Sequence, residues 1–234
     1  MQKEVVAILA LSTLTGCKNT VYKNDRIPSS IVAFGKTHPE AKEFVDNFLK
    51  YKDVNFDMNV STEMKARNIP LFIQWDKRWG YKRYGKNYLG IAGCGPSCMA
   101  MVACGLKQDP SINPYTVSKY STKHCFYKYG KGTLWELMTT GAKHYGLGVV
   151  RGNISKQYIL TNLSEKTPMI CSMSPGIFTK SGHFIVLTGV DNDGKITIND
   201  PNSPIKSARH WKPSVLIAQM KAIWAYRSNN TTDK

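Results

Sequence analysis

The sequence has no long apolar run. Nothing in it approaches the roughly 18–20 consecutive apolar residues that a membrane-crossing helix needs, so a conventional span is excluded. It has no G-x-x-x-x-G-K-[ST] string, which excludes a phosphate-gripping motor loop. Six Cys in 234 residues are too few for a scaffold built from disulfides. Internal repeats and low-complexity tracts are missing too. Acidic residues are scarce: 16 Asp and Glu stand against 32 Lys and Arg, giving +16. An apolar share of 42% excludes a disordered chain. What is left is one globular domain of ordinary size with an appendage.

The appendage begins with an address. Lys3 gives a short positive region, an apolar stretch follows over residues 5–14, and Leu14-Thr15-Gly16-Cys17 closes it. This resembles the lipobox of bacterial lipoproteins, which implies removal of residues 1–16 and a lipid on Cys17. The expected location is therefore outside the cell, lipid-anchored to the bacterial membrane. The positive charge is then free to add to attachment on anionic lipid, to meet an anionic cell wall, or to meet an acidic substrate.

Residues 17–36 read as a lipidated Cys and tether. Thr37-His38-Pro39-Glu40 resembles a capping box, and Phe44, Val45, Phe48 and Leu49 follow at helical spacing, so a helix is expected over 39–51 with a connector to 68. The main domain is expected over 69–228, with a tail over 229–234. Helices are expected from Gly95-Pro96, over 133–145 and over 155–164. Strands rich in β-branched residues are expected over 168–173, 183–190 and 195–199, then a helical stretch over 212–220 and a last strand over 222–226. Helices followed by an antiparallel sheet give an α+β fold.

Two places carry chemistry. In Gly93-Cys94-Gly95-Pro96 the proline marks a first helical turn, so Cys94 falls at a helix N-terminus, where the macrodipole favours the thiolate. Further on, His183 opens one strand and Asp200 closes the next, with a turn at 191–194 between them. If those four residues form the loop, Val190 pairs with Lys195. His183 then lies opposite Asn202, and Asp200 is its diagonal neighbour on the same face, about 7–8 Å away. A carboxylate there can orient an imidazole and stabilise its charged form. The Asp191-x-Asp193-Gly194 run lacks the later oxygen ligands of a calcium loop and reads as the hairpin turn.

Taken in order, the blocks Gln74-Trp75-Asp76, Trp79-Gly80, Tyr84-Gly85, Gly93-Cys94-Gly95-Pro96-Ser97, Gly182-His183-Phe184 and Asn199-Asp200-Pro201 resemble the extracytoplasmic C39-like cysteine peptidases. The resemblance implies a papain-like fold. The helical part would carry the nucleophile at a helix N-terminus and pack on an antiparallel sheet carrying His and Asp. It assigns Cys94 as nucleophile, His183 as general base and acid, Asp200 as orienting group and Gln74 as oxyanion-hole donor. It implies a peptide or protein substrate and neither cofactor nor metal. Leader-cutting relatives are fused to an exporter whose spans and motor are missing from this sequence, so cleavage of double-glycine leaders is not implied.

Two other functions compete. One is a non-catalytic peptide- or wall-binding module on the same fold. The other is acyl transfer through the same nucleophile, since hydrolysis and transfer share the acyl-enzyme. The basic and aromatic run over 75–88 is read as core rings with a cationic rim, and nucleic acid is not an expected partner. Cys98 and Cys104 are read as core, Trp135 and Trp224 as core, and His38, His124, His144 and His210 as surface or packing. A Cys125–Cys171 bridge is possible on sequence grounds, and the oligomeric state is open.

Overall fold

A computed structural model describes residues 26–229. The leader, Cys17 and the tail from residue 230 lie outside the described residues. Among the described residues no helix is long and apolar enough to cross a membrane.

The centre of the domain is one antiparallel sheet. Its strands are β1 (Leu147–Arg151), β2 (Met169–Met173), β3 (His183–Val190), β4 (Ile196–Asn199), β5 (His210–Trp211) and β6 (Met220–Ser228), in the order β1-β6-β2-β3-β4-β5. Side chains alternate across it with period two. Ile170, Phe184, Val186, Ala222, Trp224 and Tyr226 face one apolar cluster; Met169, Cys171, Ile185, Leu187, Ile198 and Ile223 face the other. Both faces are covered, so the central strands read as near-continuous apolar runs.

Helix α2 (Cys94–Lys107) fills the first face. Every residue from Gly95 to Gly105 is buried, as expected for a helix that is apolar all round. A Cβ on Gly95 would sit 2.6 Å from the Thr133 side chain, so only glycine fits there. The helix stops at Gln108, which adopts a left-handed φ of 51°. Helix α3 (Pro114–Lys123) packs beside it, started by an Asn113–Thr116 capping box that sequence reading passed over. Helix α4 (Lys156–Asn162), capped by Ser155, contacts the short helix Pro213–Ile217, and both sides of that pair feed the second cluster.

Several expectations change. Part of the supposed tether is helix α1 (Ser29–Thr37): Ile31 and Phe34, one turn apart, are both buried. The helix expected over 39–51 breaks into Pro39–Ala41, Lys42–Asp46 and Phe48–Tyr51, yet its apolar face packs on the domain. The helix expected from residue 133 starts only at Leu137, with a π turn, because Gly132–Thr133 pairs with Tyr127–Lys128 in a ribbon. Trp135 is not core. It is 42% exposed, edge-on to buried Trp224 at 5.4 Å, with the Arg151 guanidinium over both rings. Cys125 is exposed and Cys171 is buried on β2, and both are free thiols.

The basic-aromatic run divides as expected. Trp79, Tyr81, Tyr84 and Tyr88 are buried, and the Arg78 and Arg83 guanidinium groups sit over the Trp79 and Tyr88 rings at 4.4 and 4.1 Å. Tyr81 and Tyr88 share an apolar cluster with Ile31, Phe34, Phe44 and Phe48, so residues 29–51 form a docked arm.

Candidate active site

Cys94 is the first residue of α2, with Gly93 before it, and is half-buried. The Cys94 and Gly95 N–H groups of this first turn precede the helix's own ladder, Pro96 has none, and the Ser97 N–H is donated to the Gly93 carbonyl at 2.9 Å. His183 is the first residue of β3, and Asp200 follows the last residue of β4.

The β3–β4 hairpin explains why His183 and Asp200 meet. Near the turn the register differs by one from expectation: Val190 pairs with Ile196, and Gly189 with Thr197. The Asp191 carboxylate causes this offset by accepting the N–H groups of Asp193 and Lys195 inside the loop. A bulge between Leu187 and Gly189 then absorbs one residue. Beyond it Leu187 pairs with Ile198 and Val186 with Asn199, the register that sequence parity gives. His183 Nε2 meets Asp200 Oδ1 at 2.6 Å.

This pair is enclosed. Asp200 is fully buried and His183 is 7% exposed. The same Asp200 oxygen accepts the N–H of Asn202 at 2.9 Å, and the Asp200 N–H is donated to Ser207 Oγ at 2.8 Å. Burial alone would lower the His183 pKa. The Asp200 carboxylate and the contact with Cys94 outweigh it and raise the value above that of a free imidazole. Because Nε2 is engaged by Asp200, Nδ1 is the nitrogen left for Cys94. One turn along α2, burial pushes the Cys98 thiol far up, and a charge on Cys94 would push it further.

Gln74 lines the same site and is 2% exposed. Its backbone N–H is donated to the Pro201 carbonyl at 2.7 Å, which fixes it against the residue after Asp200. Its amide nitrogen donates to the carbonyls of Gly90 at 3.0 Å and Ile91 at 3.3 Å. The structure thus brings Gln74, Cys94 and His183 to the lining of one cavity of about 490 Å3, with Asp200 behind the imidazole. A second cavity of similar size continues past Cys94 and His183 on the other side. Cys94 sits where the two meet.

Sequence reading missed three contributors. Asn199 is buried behind the site. It donates to the carbonyls of Ile69 and Pro70 at 3.0 and 3.1 Å and accepts from Arg67 at 2.8 Å, so it ties the strand before Asp200 to the segment before Gln74. Thr37 and His38 line the first cavity from the arm. The capping box expected over 37–40 does not form, because the Glu40 carboxylate accepts from Ser203 and Ile205 instead, so only the tertiary fold reveals the place of Thr37 and His38.

A family model described as "Peptidase_C39 like family" matches residues 66–232. The chain belongs to this family. Among solved structures, the peptidase domain of Streptococcus ComA, described as a bifunctional ABC transporter involved in quorum sensing, is 18% identical. The match covers 58% of this chain and 92% of that one, with a TM-score of 0.43. None of the curated proteins matches the chain. The mixed helical and antiparallel architecture is that of the papain-like C39 fold, and the arm at residues 29–51 precedes the stretch this C39-like family shares.

Proposed function

We propose that this C39-like protein is a thiol peptidase, with Cys94 as nucleophile, His183 as general base and acid, Asp200 as orienting group and Gln74 as oxyanion donor. The observation that carries the reading is the buried His183–Asp200 contact at 2.6 Å, held beside a cysteine at a helix start. In the proposed cycle the proton of Cys94 resides on His183 and the thiolate attacks an amide carbonyl. The new oxyanion is met by the Cys94 N–H and the Gln74 amide. That amide has two N–H groups, and the longer bond to Ile91 is the one a substrate oxygen would displace. His183 Nδ1 then protonates the leaving amine, and water releases the thioester. Asp200 keeps Nε2 occupied throughout, so the ring cannot turn away from the sulfur.

We further propose that Cys17 carries a lipid and that the enzyme works outside the cell at the membrane surface. The support is the sequence Leu14-Thr15-Gly16-Cys17 behind a short apolar stretch. Metabolic labelling with a fatty-acid probe, lost in Cys17→Ala, tests this. A label that survives the substitution removes the anchor.

The peptidase is tested with a diverse peptide pool read by mass spectrometry. Wild-type protein is expected to cleave a subset, and Cys94→Ala none. Iodoacetamide is expected to label Cys94 faster in wild-type protein than in His183→Ala. A pool left intact by wild-type protein, or cut equally by Cys94→Ala, would refute the reading.

A further inference from the structure

The cavity beside Cys94 is not made by the family domain alone. Phe34, Thr37 and His38 of the arm form one wall of it, and Lys180 and Lys206 stand among its other lining residues. No Asp or Glu among the described residues lines it. Among the described residues, neither Lys180 nor Lys206 has a carboxylate within ion-pair distance. Lys206 Nζ lies instead over the Phe178 ring at 5.8 Å. The cavity on the far side of Cys94 receives no residue from the arm.

The wall is fixed in place. The Glu40 carboxylate accepts the Ser203 hydroxyl at 2.6 Å and the Ile205 N–H at 3.0 Å, so the arm grips the turn that carries Lys206. Phe34, Phe44 and Phe48 are buried against Tyr81 and Tyr88. His38 is stacked on Phe34 with centroids 4.1 Å apart. Its Nδ1 is bonded to the Phe34 carbonyl at 3.1 Å and approaches the Thr37 hydroxyl at 2.8 Å. That geometry makes Nδ1 the donor and leaves Nε2 with no hydrogen bond to a described residue. Burial, together with the charges of His183 and Lys206, keeps His38 below the usual imidazole range. An anion entering the cavity would supply the counter-charge that Lys180 and Lys206 lack.

We propose that the arm and the turn carrying Lys206 form a substrate subsite that takes a carboxylate of the peptide, with Lys206 as its cation and the stacked Phe34–His38 pair as its wall. The proposal deepens the peptidase reading and rests on it for the word substrate; the anion site itself does not need turnover.

The test separates the two. Binding is measured by fluorescence polarisation on Cys94→Ala protein. The probes are amidated hexapeptide mixtures, each with Glu or Gln fixed at one position, and a matched set with a free C-terminus. The expected result is a preference for Glu at one position, or for the free C-terminus, of roughly fivefold, the scale of one partly exposed charge pair. The first outcome identifies a side-chain carboxylate and the second a terminal one. Lys206→Ala should reduce that preference, whereas Lys221→Ala, in the far cavity, should leave it unchanged. Thermal unfolding of each variant confirms that it is folded. No Glu or C-terminal preference, or one that survives Lys206→Ala in folded protein, overturns the subsite. If the preference holds while the wild-type protein cleaves nothing, the peptidase reading fails and the carboxylate site stands.

Discussion

Gln74 and Pro201 are joined by a backbone hydrogen bond of 2.7 Å, so the wall carrying the proposed oxyanion donor is fastened to the residue that follows Asp200. The two halves of the site are thus held together through main chain, independently of the Gln74 side chain.

Shortening that side chain should therefore leave the frame intact. Gln74→Ala is expected to lower kcat/KM about 100- to 1,000-fold, the usual cost of one oxyanion donor. Labelling of Cys94 by iodoacetamide should change little, because His183 is untouched. Equal losses in turnover and labelling would instead make Gln74 a structural prop.

The His183–Asp200 contact has a pH signature. The folded pKa of His183 lies above its unfolded value of 6.5, although burial opposes this, because Asp200 faces the ring. A raised histidine contributes stability that is fully present below pH 6.5 and lost as pH rises through the folded value. Asp200→Asn removes the cause. The difference in unfolding free energy between wild-type and variant should be largest near pH 6 and narrow on the alkaline side. Urea denaturation across a pH series measures it. A gap that widens with pH would show that the pair is not imidazolium and carboxylate.

Asn199 should matter more than its distance from the chemistry implies. Asn199→Ala strands the carbonyls of Ile69 and Pro70 and leaves Arg67 without its acceptor. A loss of about 1–3 kcal/mol is expected from such buried groups. Turnover should fall as well, since the segments carrying Gln74 and Asp200 lose their tie. Chemical denaturation and kcat on the same sample check both, and an unchanged midpoint would refute the tie.

The thiols sort themselves by burial. Of the five described cysteines, Cys125 is exposed, Cys94 is half-buried and Cys98, Cys104 and Cys171 are buried. Burial pushes Cys104 up to about 12, and Cys98 and Cys171 also rise. Titration with a disulfide reagent should find Cys94 and Cys125 in native protein and the other three only after unfolding. Cys94→Ala should remove one of the two fast thiols. Fast reaction of Cys98 would contradict its enclosure.

Much of this was legible in the residues. The β-branched runs marked the central strands because a sheet covered on both faces needs apolar side chains at nearly every position. Parity placed Asp200 on the face of His183. The one-residue offset at the turn was not legible, because the Asp191 carboxylate captures two loop N–H groups and no alternation pattern registers that. Nor was the arm's share of the cavity, since Glu40 reaches its partner Ser203 across 163 positions of sequence. Trp135 deceived for a related reason: a large ring is expected inside, but here Arg151 covers one side and the cleft takes the other.

The bulge between Leu187 and Gly189 works as a phase corrector for the hairpin. Side chains alternate with a period of two, so a slip of one residue would otherwise turn Asp200 away from the imidazole. The correction is made between the turn and the site, and Asn199 clamps the strand on the site's side of it. Loop length at 191–194 and alignment at Asp200 thereby become separate variables. The turn is a place where this fold can accept new sequence, such as a grafted epitope or a longer connection, while the pairing that faces Cys94 stays in register.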